Sequence, residues 1–216
     1  NKEDHFQYIQ GYPDNTVRPE GLITREEVAA VFFRLLDAVY RDTIATTASI
    51  FGDVDQNRWS AKYIATLVKG NVINGYADGN YYPARYITRA ELVVIASRIN
   101  NLVKVKGDAF TDVAGHWAEE YIYSAYQKGW IKGYIDGTFK PDKYISRAEL
   151  VTFVNKMLNR SVKPEGISND AKQFSDLNKD KWYYADMQEA INSHYYELSE
   201  DQTEKWIKTF VPDDEI

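Results

Sequence analysis

Three arginines of this chain stand where a cation is out of place. In LITREEV (22–28), YITRAEL (86–92) and YISRAEL (144–150), a Thr or Ser is followed three residues later by Glu, just ahead of an apolar run. That is the capping box that opens a helix. Arg25, Arg89 and Arg147 come directly after the cap, at the positive end of the helix dipole, where a cation costs about 0.3–1 kcal/mol. A helix start offers unpaired backbone N–H groups, and a guanidinium beside them makes a strong carboxylate or phosphate site that grips two oxygens at once. An anion bound there would offset the dipole penalty. The alternative is structural, with each arginine bridging a carboxylate of the next repeat.

Other candidates recur in register with the arginines. Gly11, Gly75 and Gly133 each precede their arginine by 14 residues and would let backbone approach a sugar closely. Asp14, Asp78 and Asp136 follow in the same turns and can accept hydrogen bonds from hydroxyls, although both residue types are equally suited to turn chemistry alone. Trp59, Trp117 and Trp182 correspond to one another. They open apolar stripes, which makes them core anchors first and ligand contacts second. Asp53, Asp112 and Asp176 precede the same helices and read as their caps.

Several chemistries are disfavoured. There is no cysteine, and His5, His116 and His194 show no paired ligand spacing, so no metal is expected. DVDQN starts like an EF-hand loop, but position six is Arg58 and position twelve is Ile64, where calcium needs Gly and Glu. The polar motifs repeat threefold, as binding grooves do and as a single active site does not. No catalytic residue and no cofactor are expected.

The elements that must position these side chains follow from self-comparison. Residues 51–101 and 110–160 are two copies of one pattern, running from FGDV…W or FTDV…W through GYADG or GYIDG to the arginine helix. Residues 5–40 match the back half and 174–196 the front half, so the chain reads as two full copies flanked by the halves of a third. Each copy reads as helix, loop, helix, with apolar positions such as Ile64 and Leu67, or Leu92, Ile95 and Ala96, on one stripe. One hairpin buries too little to fold alone. The expectation is therefore an all-α, pseudo-threefold single domain, monomeric, with linkers at 38–50, 100–109 and 160–173. The acidic tail at 197–216 fits no repeat. A net charge of −6 argues against nucleic acid or an anionic membrane as partner, and no stretch approaches the roughly 18 apolar residues of a membrane span.

The F-x-D-V…W start, the G-Y-x-D-G turn and the [ST]-R-A-E helix opening together resemble the S-layer homology (SLH) module of bacterial surface proteins, over about residues 5–195. The resemblance implies a pseudo-trimer of helical hairpins that anchors a larger surface protein non-covalently to the wall of a Gram-positive-type bacterium. It also implies a ligand, a secondary cell-wall polysaccharide often bearing acidic pyruvate ketals, bound in grooves between modules. The chain departs from the family in its permuted order and in TREE at 24–27, which adds Glu26. Asn15 stands where the other copies have Gly79 and Gly137, and Gly21 stands where they have Arg85 and Lys143. Unequal grooves are expected, with the one using Arg25 the weakest or most altered. A protein–protein or S-layer assembly module is the rival function.

Overall fold

The computed structural model describes residues 3–212, and the chain divides into two compact units. One comprises residues 22–145. The other joins the residues up to 21 with those from 146 onward.

The 22–145 unit is helical. Its helices are α1 (Arg25–Leu35), α2 (Ala38–Ile44), α3 (Ala61–Lys69), α4 (Arg89–Ile99) and α5 (Glu119–Gln127). Capping boxes open α1 and α4 as the sequence requires: Thr24 and Thr88 accept from the Glu27 and Glu91 N–H groups, and both glutamates reach back to the cap. The principal helix contacts run across the linkers and not across the turns, with α1 on α3 and α4 on α5. The expected stripes meet there. Val28, Val31 and Phe32 of α1 are buried, as are Ile64 and Leu67 of α3, and so are Leu92 and Ala96 of α4 with Ile122 and Ala125 of α5. Each large aliphatic or aromatic side chain buried this way contributes about 1.5–3 kcal/mol. Helix α2 occupies the stretch expected to be a linker.

A ring of backbone hydrogen bonds joins the segments that precede the arginine motifs. Ile23 N–H donates to Ile145 C=O (3.3 Å), Ile145 N–H to Ile87 C=O (3.3 Å), and Ile87 N–H to Ile23 C=O (3.1 Å). All three isoleucines are buried, so these bonds lie away from water and leave no unpaired amide there.

The second unit overturns the all-α expectation. It contains α6 (Arg147–Leu158) packed on α7 (Tyr184–Ile191), a 3-10 turn at Pro164–Gly166, and a three-stranded antiparallel sheet. The strands are β1 (Glu3–His5), β2 (Ser193–Leu198) and β3 (Glu204–Phe210), in the order β1-β2-β3. The chain is therefore mixed α/β. The helical pattern ends at Ile191, and the next residues alternate. Glu204 and Trp206 are buried between the exposed Lys205 and Ile207, a period of two that only a strand presents to one face. Val162, Ala171, Tyr196 and Trp206 form a small core beneath the sheet. Most of the supposed acidic tail is thus ordered structure; residues 213–216 lie outside the described residues.

Candidate binding groove

The F-x-D opening of each copy is a clamp on the turn that follows it. Asp53 accepts from the backbone N–H groups of Tyr81 (2.8 Å) and Tyr82 (2.7 Å). Asp112 does the same with Phe139 and Lys140 (both 2.8 Å), and Asp176 with Val17 (2.9 Å) and Arg18 (2.7 Å). The second residue of each pair has positive φ: Tyr82 at 57°, Lys140 at 56° and Arg18 at 49°. A bulky residue held there costs about 1–3 kcal/mol, which two charge-assisted hydrogen bonds offset. These aspartates do not cap α3, α5 or α7, whose N-termini carry no side-chain cap. The cap assignment was wrong because a loop and not a helix start claims the carboxylate.

The glycines are explained by the same openings. A Cβ on Gly75 would lie 2.2 Å from the Phe51 ring and 2.7 Å from Asn80 O. On Gly133 it would lie 2.4 Å from Phe110 and 2.8 Å from Thr138 O, and on Gly11 it would lie 2.1 Å from Phe174. The aromatic of each F-x-D sits on the glycine of its turn. In the copy split between the ends, Phe174 and Asp176 make these contacts with Gly11, Val17 and Arg18. Asp14, Asp78 and Asp136 are exposed and accept from the backbone N–H two residues on, at 3.1, 3.0 and 3.0 Å. The residue after each is left-handed, and Asn15 (φ 60°) takes the role of Gly79 and Gly137 as the side chain that best tolerates that region.

The arginine helices do not start with free N–H groups. Arg25 and Glu26 N–H donate to Arg85 and Pro83 carbonyls, Arg89 and Ala90 to Lys143 and Pro141, and Arg147 and Ala148 to Gly21 and Pro19, all at 2.8–3.0 Å. An anion site built on open helix amides is therefore absent at all three. The guanidiniums are tied to carbonyls as well. Nε of Arg25, Arg89 and Arg147 donates to Tyr81, Phe139 and Val17 carbonyls, each at 2.9 Å. The second guanidinium contact reaches Asn74 O, Lys132 O and Gln10 O at 3.4, 3.3 and 2.8 Å.

Beyond this shared framework the arginines differ. Arg25 is buried and forms an ion pair with Glu91 (2.8 Å), whose same oxygen accepts from Tyr76 Oη (2.5 Å). Burial, then this bond to Glu91, raises the Tyr76 pKa. Arg89 is half-buried, meets no carboxylate within 4 Å among the described residues, and lies against Tyr134 and Phe139. Glu26 faces away from this arrangement: it accepts from Arg58 (2.7 and 2.9 Å) and Ser60 (2.6 Å), fastening α1 to the start of α3.

Within the 22–145 unit, one groove of about 470 Å³ brings several candidates together. Arg25, Gly75 and Trp117 line it, with Tyr76, Glu91 and Arg98. Asp78 lines a separate hollow of about 590 Å³ with Arg58 and Arg85, and Gly133 a third of about 500 Å³ beside Lys132. The tryptophans are not core anchors. Trp59, Trp117 and Trp182 are 57%, 61% and 66% exposed, because each falls two residues before its helix begins and so outside the 3.6-residue period that the stripe assumed. Sequence reasoning missed Arg98 and Glu91 as lining residues, since their periodicity marks only a helix face. It also missed the clamp role of Asp53, Asp112 and Asp176, for which recurrence in every copy was the available signal.

The sequence that builds these turns and arginine helices is similar to known proteins. The S-layer homology domain profile matches residues 6–29, 50–93 and 109–151. Cell surface glycoprotein 1 of Acetivibrio thermocellus is 36% identical over 219 residues, covering 95% of this chain and 9% of that protein. The cellulosome-anchoring protein of the same organism is 32% identical over 211 residues, covering 95% of this chain and 46% of that protein. An S-layer protein of Bacillus licheniformis is 33% identical over 180 residues, covering 79% of this chain and 20% of its own length. The chain spans less than half the length of each of these relatives. It belongs to the S-layer homology domain family.

Proposed function

We propose that the chain anchors an attached surface protein to the bacterial cell wall, outside the cell, by holding an acidic, pyruvylated secondary cell-wall polysaccharide non-covalently and without catalysis. Cell-surface, cellulosome-anchoring and S-layer relatives support the anchoring role. The observation that carries the ligand class is the groove in which two guanidiniums, Arg25 and Arg98, stand with one exposed indole, Trp117. Guanidiniums suit a carboxylate and an exposed aromatic suits the apolar face of a sugar ring. Arg25 already neutralises Glu91, so Arg98, which lies over Tyr121 and has no carboxylate within 4 Å among the described residues, carries the available charge there, and Arg25 contributes less than Arg89, which likewise meets no carboxylate among them. Gly11, Gly75 and Gly133 shape the turns, and the exposed Asp14, Asp78 and Asp136, with Trp59 and Trp182, are proposed to make the equivalent sugar contacts in their own copies.

A second function is favoured by the guanidinium–carbonyl bonds: a protein-assembly module whose arginines only fasten repeats. Calorimetric titration with pyruvylated and depyruvylated wall polysaccharide separates the two. The polysaccharide function requires binding that depends on pyruvate and weakens at least tenfold, about 1.4 kcal/mol, in Arg98→Ala and Trp117→Ala variants of unchanged melting. Equal binding of both polymers, or none, leaves the assembly module.

A further inference from the structure

We propose that His5, Glu189, His194 and Glu204 form a closed structural site for one divalent first-row metal ion of the zinc class. His5 comes from near the start of the sequence and the other three from residues 189–204, and all four belong to one unit of the fold. His5 on β1 pairs directly with His194 on β2, Glu204 opens β3, and Glu189 lies in the last turn of α7. Their side chains are 16%, 1%, 0% and 2% exposed in the order His5, Glu189, His194, Glu204.

Each carboxylate spans both imidazoles. His5 Nδ1 lies 3.1 Å from Glu189 Oε1 and 3.4 Å from Glu204 Oε1, while His194 Nε2 lies 3.4 Å from Glu189 Oε2 and 3.1 Å from Glu204 Oε2. A tetrahedral ion with metal–ligand bonds of about 2.0–2.1 Å places its ligands roughly 3.3–3.4 Å apart. One donor atom from each of the four residues falls within 4.8 Å of all the others, so the site needs contraction and no rearrangement.

The protons point the same way. His194 Nδ1 lies 3.0 Å from Asn192 O. A carbonyl only accepts, so Nδ1 carries a hydrogen there, and Nε2, which donates to the Glu204 carboxylate at 3.1 Å, is the nitrogen whose proton an ion would replace. Such a bond from the far nitrogen is what fixes the tautomer of a metal-ligating histidine. Glu189 Oε2, buried within the cluster, accepts no hydrogen bond among the described residues. Two buried carboxylates carry two negative charges, and a dication between neutral imidazoles balances them. Two imidazole nitrogens and two carboxylate oxygens suit zinc-class ions, whereas calcium takes six to eight oxygens.

The surroundings leave the site closed. Trp206 stacks on His194 at 3.9 Å and Tyr196 lies on His5 at 4.4 Å between ring centres. The neighbouring cation is Arg160, 4.0 Å from Glu189 Oε1 and hydrogen-bonded to Phe6 O at 3.2 Å. Ser161 N–H donates to Glu204 Oε1 at 3.3 Å. An ion there fastens β1 to α7 and β3, and joins residues 5 and 204.

The test uses the full chain stripped with chelator and then titrated with Zn²⁺ by calorimetry, and with Co²⁺ by visible absorption. One ion per chain, a tetrahedral Co²⁺ d–d spectrum and a raised Tm are expected. Affinity should fall at least tenfold in Glu189→Gln, and also in His5→Asn, whose partly exposed ring makes it the safer variant to fold. A folded chain that takes up neither ion would overturn the proposal and leave a proton-filled ion-pair cluster. Unchanged uptake by both folded variants would also overturn it, by placing the ion elsewhere.

Discussion

Replacing the turn glycines by alanine distinguishes packing from ligand approach as the reason for them. At Gly11 the three nearest atoms the new methyl meets are all of the Phe174 ring, at 2.1, 2.6 and 3.2 Å. At Gly75 it meets the Phe51 ring at 2.2 Å and also a backbone oxygen, Asn80 O, at 2.7 Å; Gly133 repeats this with Phe110 at 2.4 Å and Thr138 O at 2.8 Å. Overpacking of this kind typically costs about 1–3 kcal/mol. A ring can swing away more cheaply than a clamped turn can move, so Gly11→Ala belongs near 1 kcal/mol, and Gly75→Ala and Gly133→Ala near 3 kcal/mol. At about 2–4 °C per kcal/mol for a chain of this size, the melting shifts are about 2–4 °C and 6–12 °C.

The assay is urea unfolding of each variant, alone and with the facing ring shortened. In a Phe174→Leu background, Gly11→Ala should lose most of its cost, because the ring supplies all of its closest contacts. In a Phe51→Leu background, Gly75→Ala should keep part of its cost, since Asn80 O is still there. Contacting residues are expected to be non-additive in this way. Three alanine variants of parental stability would refute the reasoning. If they also lost polysaccharide binding, close approach of a ligand would be the reason for glycine.

Two further outcomes follow from the arginines and the turn aspartates. Arg25→Ala leaves Glu91 half of a broken, largely buried ion pair and should cost about 3–5 kcal/mol, whereas Arg89→Ala uncovers only carbonyls and should cost about 1–3 kcal/mol; equal losses in urea unfolding would contradict the difference in their partners. Hydrogen bonds hold the exposed turn carboxylates below the ordinary aspartate range, chiefly from the Thr16 hydroxyl to Asp14, the Tyr82 hydroxyl to Asp78 and the Thr138 hydroxyl to Asp136. A lowered folded pKa gives stability that is present above about pH 4 and is lost as pH falls through the folded value. An Asp14→Asn, Asp78→Asn, Asp136→Asn variant should therefore lose less Tm than the parent between pH 5 and pH 3.

The repeats were legible because they are local. A capping box spans four residues and an apolar stripe a dozen, so Thr88, Glu91, Leu92 and Ala96 announce α4 without help from the rest of the chain. The strands were not legible by the same means. β1 has three residues, too few for a period, and acquires its partner from the stretch after Ile191. The tryptophans show the opposite failure, in which a period was extended past its element: Trp59, two residues ahead of α3, obeys the loop and not the helix. The histidines fail for distance. His5 and His194 are adjacent across β1 and β2, and no spacing rule reaches over most of a chain.

The misplaced arginines find their reason in the same long-range category. A cation at a helix N-terminus is penalised by bare N–H groups, but here those groups are already covered by carbonyls of another turn: Arg85 and Pro83 over α1, Lys143 and Pro141 over α4, Gly21 and Pro19 over α6. The guanidinium is then held by carbonyl oxygens as well, its Nε closing on one of them in every copy. The dipole cost is met by the fold before any ligand arrives. What distinguishes the copies is the carboxylate: Glu91 is paired with Arg25, and no carboxylate lies within 4 Å of Arg89 among the described residues. A charge held rigidly by carbonyls and left without a counter-ion is prepared for an external anion. If the arginines serve the wall polymer as well as the fold, Arg89 is therefore where that second role should be strongest.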